Sequence, residues 1–322
     1  MTRSEHETET LIRESLDRLA ARTPDGHAVR DALARAGRKQ RPVARLALVA
    51  AAVVALVAGV VAGTQLFTTT AVDPAAGRPV LGYSPGWLPA GFTEQYREGG
   101  PGTAPQVRRW FAGAAEITLS AYSTADPAWS QAALKIASIR DQVLVRGRVA
   151  MVTGDSGTAA LLTWLADEQH VLTAQVSGVP DARAVAQDVA DSVTPRPVGV
   201  RGELRFGPLP AGLAERSAAV RGTGPGDAST ELTAAAPGGP PVRAAAGAGS
   251  PGVDGAASVT VRGGPGFLLP PEDGAATVAV RLPSGRWLTV TGPLPAAELI
   301  AVANGVQLDP APDYHWLGRA TS

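Results

Sequence analysis

The sequence predicts an α+β protein in three parts: an N-terminal helical hairpin, one transmembrane helix, and two tandem modules of antiparallel sheet plus helix. Three observations carry that prediction. Leu46 to Phe67 is a run of twenty-two residues without a charged side chain. Beyond it, short motifs return in the same order at a nearly constant spacing. Within each repeat a period of two gives way to a helical period only at the end, and strands followed by a segregated helix define the α+β class.

Residues 1–45 read as a helical segment. Ile12, Leu16 and Leu19 fall at i, i+4 and i+7 of a helix over 5–22, with Ser4, Thr8 and Thr10 as N-caps. Thr23-Pro24-Asp25-Gly26 is a turn, and a second helix over 28–36 places Val29, Leu33 and Ala36 on one side before Gly37 ends it. A hairpin of this size buries little surface alone. Its apolar stripes therefore serve either as a docking element for a cytoplasmic protein or as a solvated tail.

The apolar run at 46–67, at about 1.5 Å per residue, makes a helix of roughly 33 Å, enough for a hydrocarbon core of about 30 Å. Arg35, Arg38, Lys39, Arg41 and Arg45 precede it, whereas the first charges after it are Asp73 and Arg78. The positive-inside rule then puts residues 1–45 in the cytoplasm and 68–322 outside, a single-pass plasma-membrane protein. A cleaved signal peptide ending near Val61-Ala62-Gly63 is the rival; the long preceding segment and the length of the run favour a retained anchor. Ala47, Ala51, Ala55, Gly59 and Gly63 recur every four residues, and Gly59 and Gly63 are the candidate contact of a homodimer.

After a linker at 68–79, the outer region reads as two copies of one unit, module 1 at 80–195 and module 2 at 200–310. Leu88-Pro89-Ala90-Gly91-Phe92 returns as Leu209-Pro210-Ala211-Gly212-Leu213 at an offset of 121. Val145-Arg146-Gly147 returns as Val261-Arg262-Gly263, and Leu172-Thr173 as Leu288-Thr289, both at 116. A closing helix with Ala182, Val185, Ala186 and Val189 is matched by Leu299, Val302, Ala303 and Val306. Ile117, Leu119 and Ala121 alternate with polar neighbours as in a half-buried strand. Residues 160–165 and 170–176 flank a polar turn as a hairpin, as do 278–282 and 287–290. The stretch 222–257, rich in Ala, Gly and Pro, reads as a mobile loop or loosened strands.

Composition narrows the function classes. The 322 residues carry 29 basic and 29 acidic side chains, so the strong basic surplus that nucleic-acid binding needs is missing, and no nucleic-acid partner is expected. Cysteine is absent, which excludes disulfides, thiol nucleophiles and thiolate-held zinc. Gly154-Asp155-Ser156-Gly157 and Gly82-Tyr83-Ser84-Pro85-Gly86 mimic serine-hydrolase strings. The first lacks an outer histidine upstream, and the second lacks the strand–turn–helix setting of a nucleophile elbow, so both read as turns. His6, His27, His170 and His315 are too scattered for a metal site. No catalytic, cofactor or metal residue is assigned, no cofactor is expected, and the protein is read as non-enzymatic. Module 1 holds Trp87, Trp110, Trp129 and Trp164, either as core or as the lining of a groove.

The short inner helices, the single anchor, the Trp87-Leu88-Pro89-Ala90-Gly91-Phe92 opening, the Val145-Arg146-Gly147 strand and Leu162-Thr163-Trp164 together carry a resemblance. The chain resembles uncharacterised single-pass envelope proteins of high-GC Gram-positive bacteria, and its outer modules are similar to the extracytoplasmic sensor domains of transmembrane anti-sigma factors. Val280 stands where the family-like Trp164 stands in module 1. The resemblance implies a cell-envelope sensor or regulatory protein with a duplicated binding module and a cytoplasmic partner for residues 1–45. The competing expectation is a lipid or wall-component carrier with an inert tail.

Overall fold

The computed structural model describes residues 79–125, 141–154 and 157–320. Every described residue belongs to one compact unit, Val72–Ser322. The predicted hairpin helices, the apolar run at 46–67, the contact through Gly59 and Gly63 and nearly all of the linker lie outside the described residues.

The first half opens with β1 (Val80–Ser84) and the adjacent strands β2 (Thr93–Gly99), β3 (Gln106–Ala112) and β4 (Ala115–Ser123). It continues through β5 (Gln142–Val145), β6 (Arg148–Thr153), β7 (Ala159–Leu165) and β8 (His170–Ser177) to helix α1 (Ala182–Ser192) and β9 (Thr194–Gly199). The second half repeats this order: β10 (Leu204–Arg205), β11 (Ala214–Arg221), β12 (Ser229–Ala235), β13 (Val242–Gly247), β14 (Ala257–Val261), β15 (Gly264–Glu272), β16 (Ala275–Arg281), β17 (Trp287–Gly292), α2 (Ala296–Gly305) and β18 (Gln307–Leu308). Fourteen of these strands form one sheet in the order β14-β15-β16-β17-β13-β12-β11-β2-β3-β4-β8-β7-β6-β5. The remaining four pair as β1 with β9 and β10 with β18.

The order reads the same from either edge. At its centre β2 pairs antiparallel with β11, Arg97 opposite Val220, Glu98 opposite Ala219 and Gly99 opposite Ala218. Because Arg97 and Ala218 hold equivalent places, as do Gly99 and Val220, a pseudo-two-fold axis passes through the Glu98–Ala219 pair. Both central strands carry a bulge at the same point, after Glu94 in β2 and after Glu215 in β11.

This corrects the predicted fold class. The described chain is mostly β, with two helices among the described residues. In place of two separate α+β modules there is one continuous sheet, because β2 and β11, each the edge of its half, satisfy each other's open backbone groups. The single-pass plasma-membrane localisation, and with it the transmembrane reading, is corrected as well. Helices of eleven and ten residues are about half of a bilayer span, and no helix among the described residues is long and apolar enough to cross a membrane. The stretch 222–257 holds the regular strands β12 and β13, so of its two expected readings, mobile loop or loosened strands, it is strands that form, in regular pairing inside the sheet.

The helices cover one face. Ala182, Ala186, Val189 and Ala190 of α1 join Trp110, Ile117, Leu162, Trp164 and Leu172 in one core. Leu299, Val302 and Ala303 of α2 join Leu232, Val242, Val278, Val280 and Leu288 in the other. Trp164 opposite Leu172 and Val280 opposite Leu288 occupy matching register positions. A third, smaller cluster of Leu81, Val200, Val220, Ala228, Trp316 and Leu317 sits at the seam.

The recurring sequence motifs have local physical causes. Phe92 N–H donates to the Pro89 carbonyl and Leu213 N–H to that of Pro210, with Gly91 and Gly212 at φ +89° and +86°. That is a type II turn, whose third residue needs a positive φ. The Val-Arg-Gly motifs turn β5 into β6 and β14 into β15, with Arg146 and Arg262 in the left-handed region. Arg146 donates to the Val193 carbonyl at 2.6 Å, and Arg262 to the carbonyls of Val306 and Ala303, the latter at 3.2 Å. Each arginine thus caps the negative end of its helix.

Candidate functional site

The bulge in β2 is what builds the site. In a regular strand, residues three apart point to opposite faces. The extra residue at Gln95 brings Glu94 and Arg97 onto the same face, and Arg108 of β3 lies directly opposite Arg97. Glu94 then accepts from both guanidiniums: Arg97 Nε at 2.8 Å and Nη2 at 2.9 Å, Arg108 Nε at 2.7 Å and Nη2 at 2.8 Å. All three side chains are at least nine-tenths buried.

Two guanidiniums on one carboxylate leave a net positive charge in the interior. Arg97 stacks on the Trp316 ring at 4.1 Å and Arg108 on that of Trp110 at 4.9 Å, so aromatic faces offset part of the cost. Arg108 Nη1 also donates to Ser84 Oγ and, at 3.5 Å, to the Tyr83 carbonyl, while Arg97 Nη1 reaches the Gly199 carbonyl at 3.4 Å. Burial works to raise the Glu94 carboxyl, but the hydrogen bonds and charges of Arg97 and Arg108 outweigh it and hold the group below its ordinary value.

The cluster forms the floor of a cavity of about 310 Å3, whose walls add Arg196, Val198, His315, Trp316 and Arg319. One wall is the C-terminal segment: Glu94 N–H donates to the Arg319 carbonyl at 3.0 Å and Gly318 N–H to the Glu94 carbonyl at 2.9 Å. The second half therefore closes a cavity whose floor belongs to the first. Arg97 and Arg108 against the one carboxylate of Glu94, with Arg319 on the wall, make it a positive recess, suited to an anionic group.

The side chains singled out from sequence fall elsewhere or do other work. Ser84 of the Gly82–Gly86 string sits at the end of β1, with no helix following, and its Oγ donates to the Arg196 carbonyl at 3.0 Å. In the 154–157 string, Gly154 and Gly157 lie between β6 and β7, and Asp155 and Ser156 are outside the described residues. His170 packs edge-on against Tyr83 at 5.4 Å, its Nδ1 lying 3.0 Å from Asp167 Oδ1, and the Tyr83 hydroxyl donates to Asp167. His315 pairs with Asp313. His6 and His27 lie outside the described residues, and among those described no His, Cys, Asp and Glu converge as a metal-holding group.

Of the tryptophans, Trp110 and Trp164 are core and Trp87 is exposed. Trp129 lies outside the described residues. Glu94, Arg97 and Arg108 were not singled out by sequence reasoning. The signal that finds them is the repeat itself: the offset of 121 that aligns the two Leu-Pro-Ala-Gly turns also aligns Glu94 with Glu215 and Arg97 with Ala218, exposing what the halves do not share.

Fold and site together define a duplicated, predominantly β domain with an arginine-lined recess at its seam. No protein-family model matches the chain, and no curated protein matches it. Among solved structures it has a distant similarity to MucB. The crystal structure of MucB in complex with MucA(peri) matches at 18% identity and a TM-score of 0.25, over 73% of this chain and 93% of that one. The MucA/MucB complex of Pseudomonas aeruginosa matches at 16% and 0.25 over the same shares. The crystal structure of MucB matches at 14% and 0.23, over 72% and 92%.

Proposed function

We propose that the described domain is a non-enzymatic binding domain of a regulatory protein, and that its arginine-lined recess receives the carboxylates of an acidic protein segment. The observation that carries this reading is the pairing of two buried guanidiniums, Arg97 and Arg108, with the one carboxylate of Glu94 on the floor of a cavity that Arg319 also lines. A buried, uncompensated charge is costly, and an incoming carboxylate lowers that cost while forming charge-assisted hydrogen bonds. The non-enzymatic reading is supported by Ser84, whose hydroxyl donates to the Arg196 carbonyl and accepts from Arg108. The carrier alternative draws no support from the cavities of about 310, 340 and 450 Å3, which are lined largely by polar and charged side chains.

The test is fluorescence anisotropy of a labelled poly-glutamate peptide against the full chain. Saturable, salt-sensitive binding is expected, weakened at least about tenfold in the double variant Arg196→Ala, Arg319→Ala. Both residues lie on the exposed wall, so the fold survives their loss. Absent binding, or binding indifferent to the double change, overturns the proposal.

A further inference from the structure

The register that relates the two halves shows a second pocket in which apolar side chains stand at the register positions of Arg97 and Arg108. Glu215 opposite Ala234 in β11 and β12 matches Glu94 opposite Trp110 in β2 and β3, bulge included. One step on, Ala218 opposite Leu232 stands where Arg97 opposite Arg108 stands. Both guanidiniums that hold Glu94 are therefore missing around Glu215.

Glu215 is half-buried in the wall of a cavity of about 220 Å3, together with Leu204, Phe206, Ala218 and Leu232. It has no hydrogen bond or ion pair among the described residues, and burial alone raises its carboxyl. The other charged groups on this cavity are committed to one another. Arg205 Nη2 lies 2.6 Å from Asp309 Oδ2, Arg201 Nη2 lies 3.2 Å from Asp309 Oδ1, and the Asp309 side chain is almost wholly buried between them. What remains is the Glu215 carboxylate, sharing the cavity with Leu204, Phe206, Ala218 and Leu232 as well as with the Asp309 ion pairs, and with room beside it.

We propose that this pocket binds the side chain of an arginine from a partner polypeptide, its guanidinium pairing with Glu215 as Arg97 and Arg108 pair with Glu94. A guanidinium fits better than an ammonium. Module 1 shows that the bulge presents the carboxylate side-on to a planar fork, with Nε and Nη2 on separate oxygens. The methylene stem of an arginine also suits the wall of Leu204, Phe206 and Leu232. The pocket is distinct from the arginine-lined recess, and the two proposals stand or fall separately.

The experiment titrates the full chain with the tripeptide acetyl-Gly-Arg-Gly-amide while the glutamate side-chain carboxyl carbons are followed by NMR. Citrulline, isosteric and neutral, replaces arginine in the control peptide. Saturable binding that moves one glutamate resonance is expected. It should weaken at least about tenfold with citrulline, and equally in Glu215→Gln, which removes the charge without changing volume. Ala218→Arg restores the residue of the first half. It should abolish peptide binding and raise the urea midpoint, because the new guanidinium occupies the pocket from within. Binding that survives Glu215→Gln, or equal binding of the citrulline peptide, overturns the proposal. Glu215→Gln should leave poly-glutamate binding unchanged, so arginine-peptide binding that survives this change while poly-glutamate binding persists shows that this inference has failed and the anionic site stands.

Discussion

Replacing Glu94 by Gln is the most informative single perturbation of this molecule. The substitution keeps the volume and removes the one charge that holds two buried guanidiniums. Four hydrogen bonds of 2.7–2.9 Å lose their ionic acceptor, and Arg97 and Arg108 are left as unscreened like charges in a site about one-twentieth exposed at its centre. Leaving a buried charge without its partner costs about 3–5 kcal/mol, and here two charges are stranded. Arg97→Met makes the opposite change: it removes two of the four bonds but leaves Glu94 neutralised by Arg108. Its cost should be no more than about 2 kcal/mol. Urea unfolding with an unchanged m-value measures both.

The pH dependence follows from the carboxyl's direction of shift. A group held below its ordinary value of 4.5 binds fewer protons when folded. Its stabilisation is therefore complete above about pH 4.5 and is lost as pH falls through the lowered value. The gap between wild type and Glu94→Gln should accordingly be constant at neutral pH and close in acid. A loss below about 1 kcal/mol at pH 7, or Arg97→Met proving the worse variant, refutes the account of the cluster.

Two further predictions concern the scaffold. Arg262→Met should cost about 1 kcal/mol by removing the cap on the last carbonyls of α2, and Arg146→Met should do the same for α1. Their distance makes the double variant additive in urea titrations, and a neutral result for both denies the capping role. Gly100→Ala should destabilise by at least about 2 kcal/mol, because a Cβ there overlaps the Arg216 carbonyl oxygen beside the seam. Gly249→Ala, with open space around its Cβ and no positive φ, controls for chain stiffness and should lose far less in the same thermal melt.

The local elements were legible because they obey short periods. Alternation marks β4, β7, β8 and β16, and the spacing of Ala182, Ala186 and Val189 marks α1. The inner strands β12 and β13 were hidden because their buried positions include Ala234, Ala244 and Ala246, which carry too little hydrophobic contrast to show an alternation. The fused sheet was hidden for a different reason. The β2–β11 pairing joins residues more than a hundred positions apart and leaves no periodic trace. The site was illegible twice over: Glu94 and Arg97 are spaced as if on opposite faces, and only the unpaired residue at Gln95 reverses that.

The bulge also explains how the two halves came to differ without losing the seam. A β-bulge leaves one residue out of the ladder and bends the strand, so the backbone at Glu94 and Glu215 keeps the same shape whatever the neighbouring side chains are. The pairs that join the halves are made by the main chain of Arg97–Gly99 and Ala218–Val220. Arg97 and Ala218 can therefore exchange a guanidinium for a methyl group with no change in strand pairing, and the electrostatics of each pocket are decoupled from the architecture that holds it. On this argument the reciprocal variant, Arg97→Ala with Arg108→Leu, should retain the fourteen-stranded sheet by amide hydrogen exchange across β2 and β11. At the same time it should turn the first recess into a second pocket of the Glu215 kind, newly able to bind the arginine tripeptide. Loss of protection at the seam would show instead that the buried ions hold the halves together.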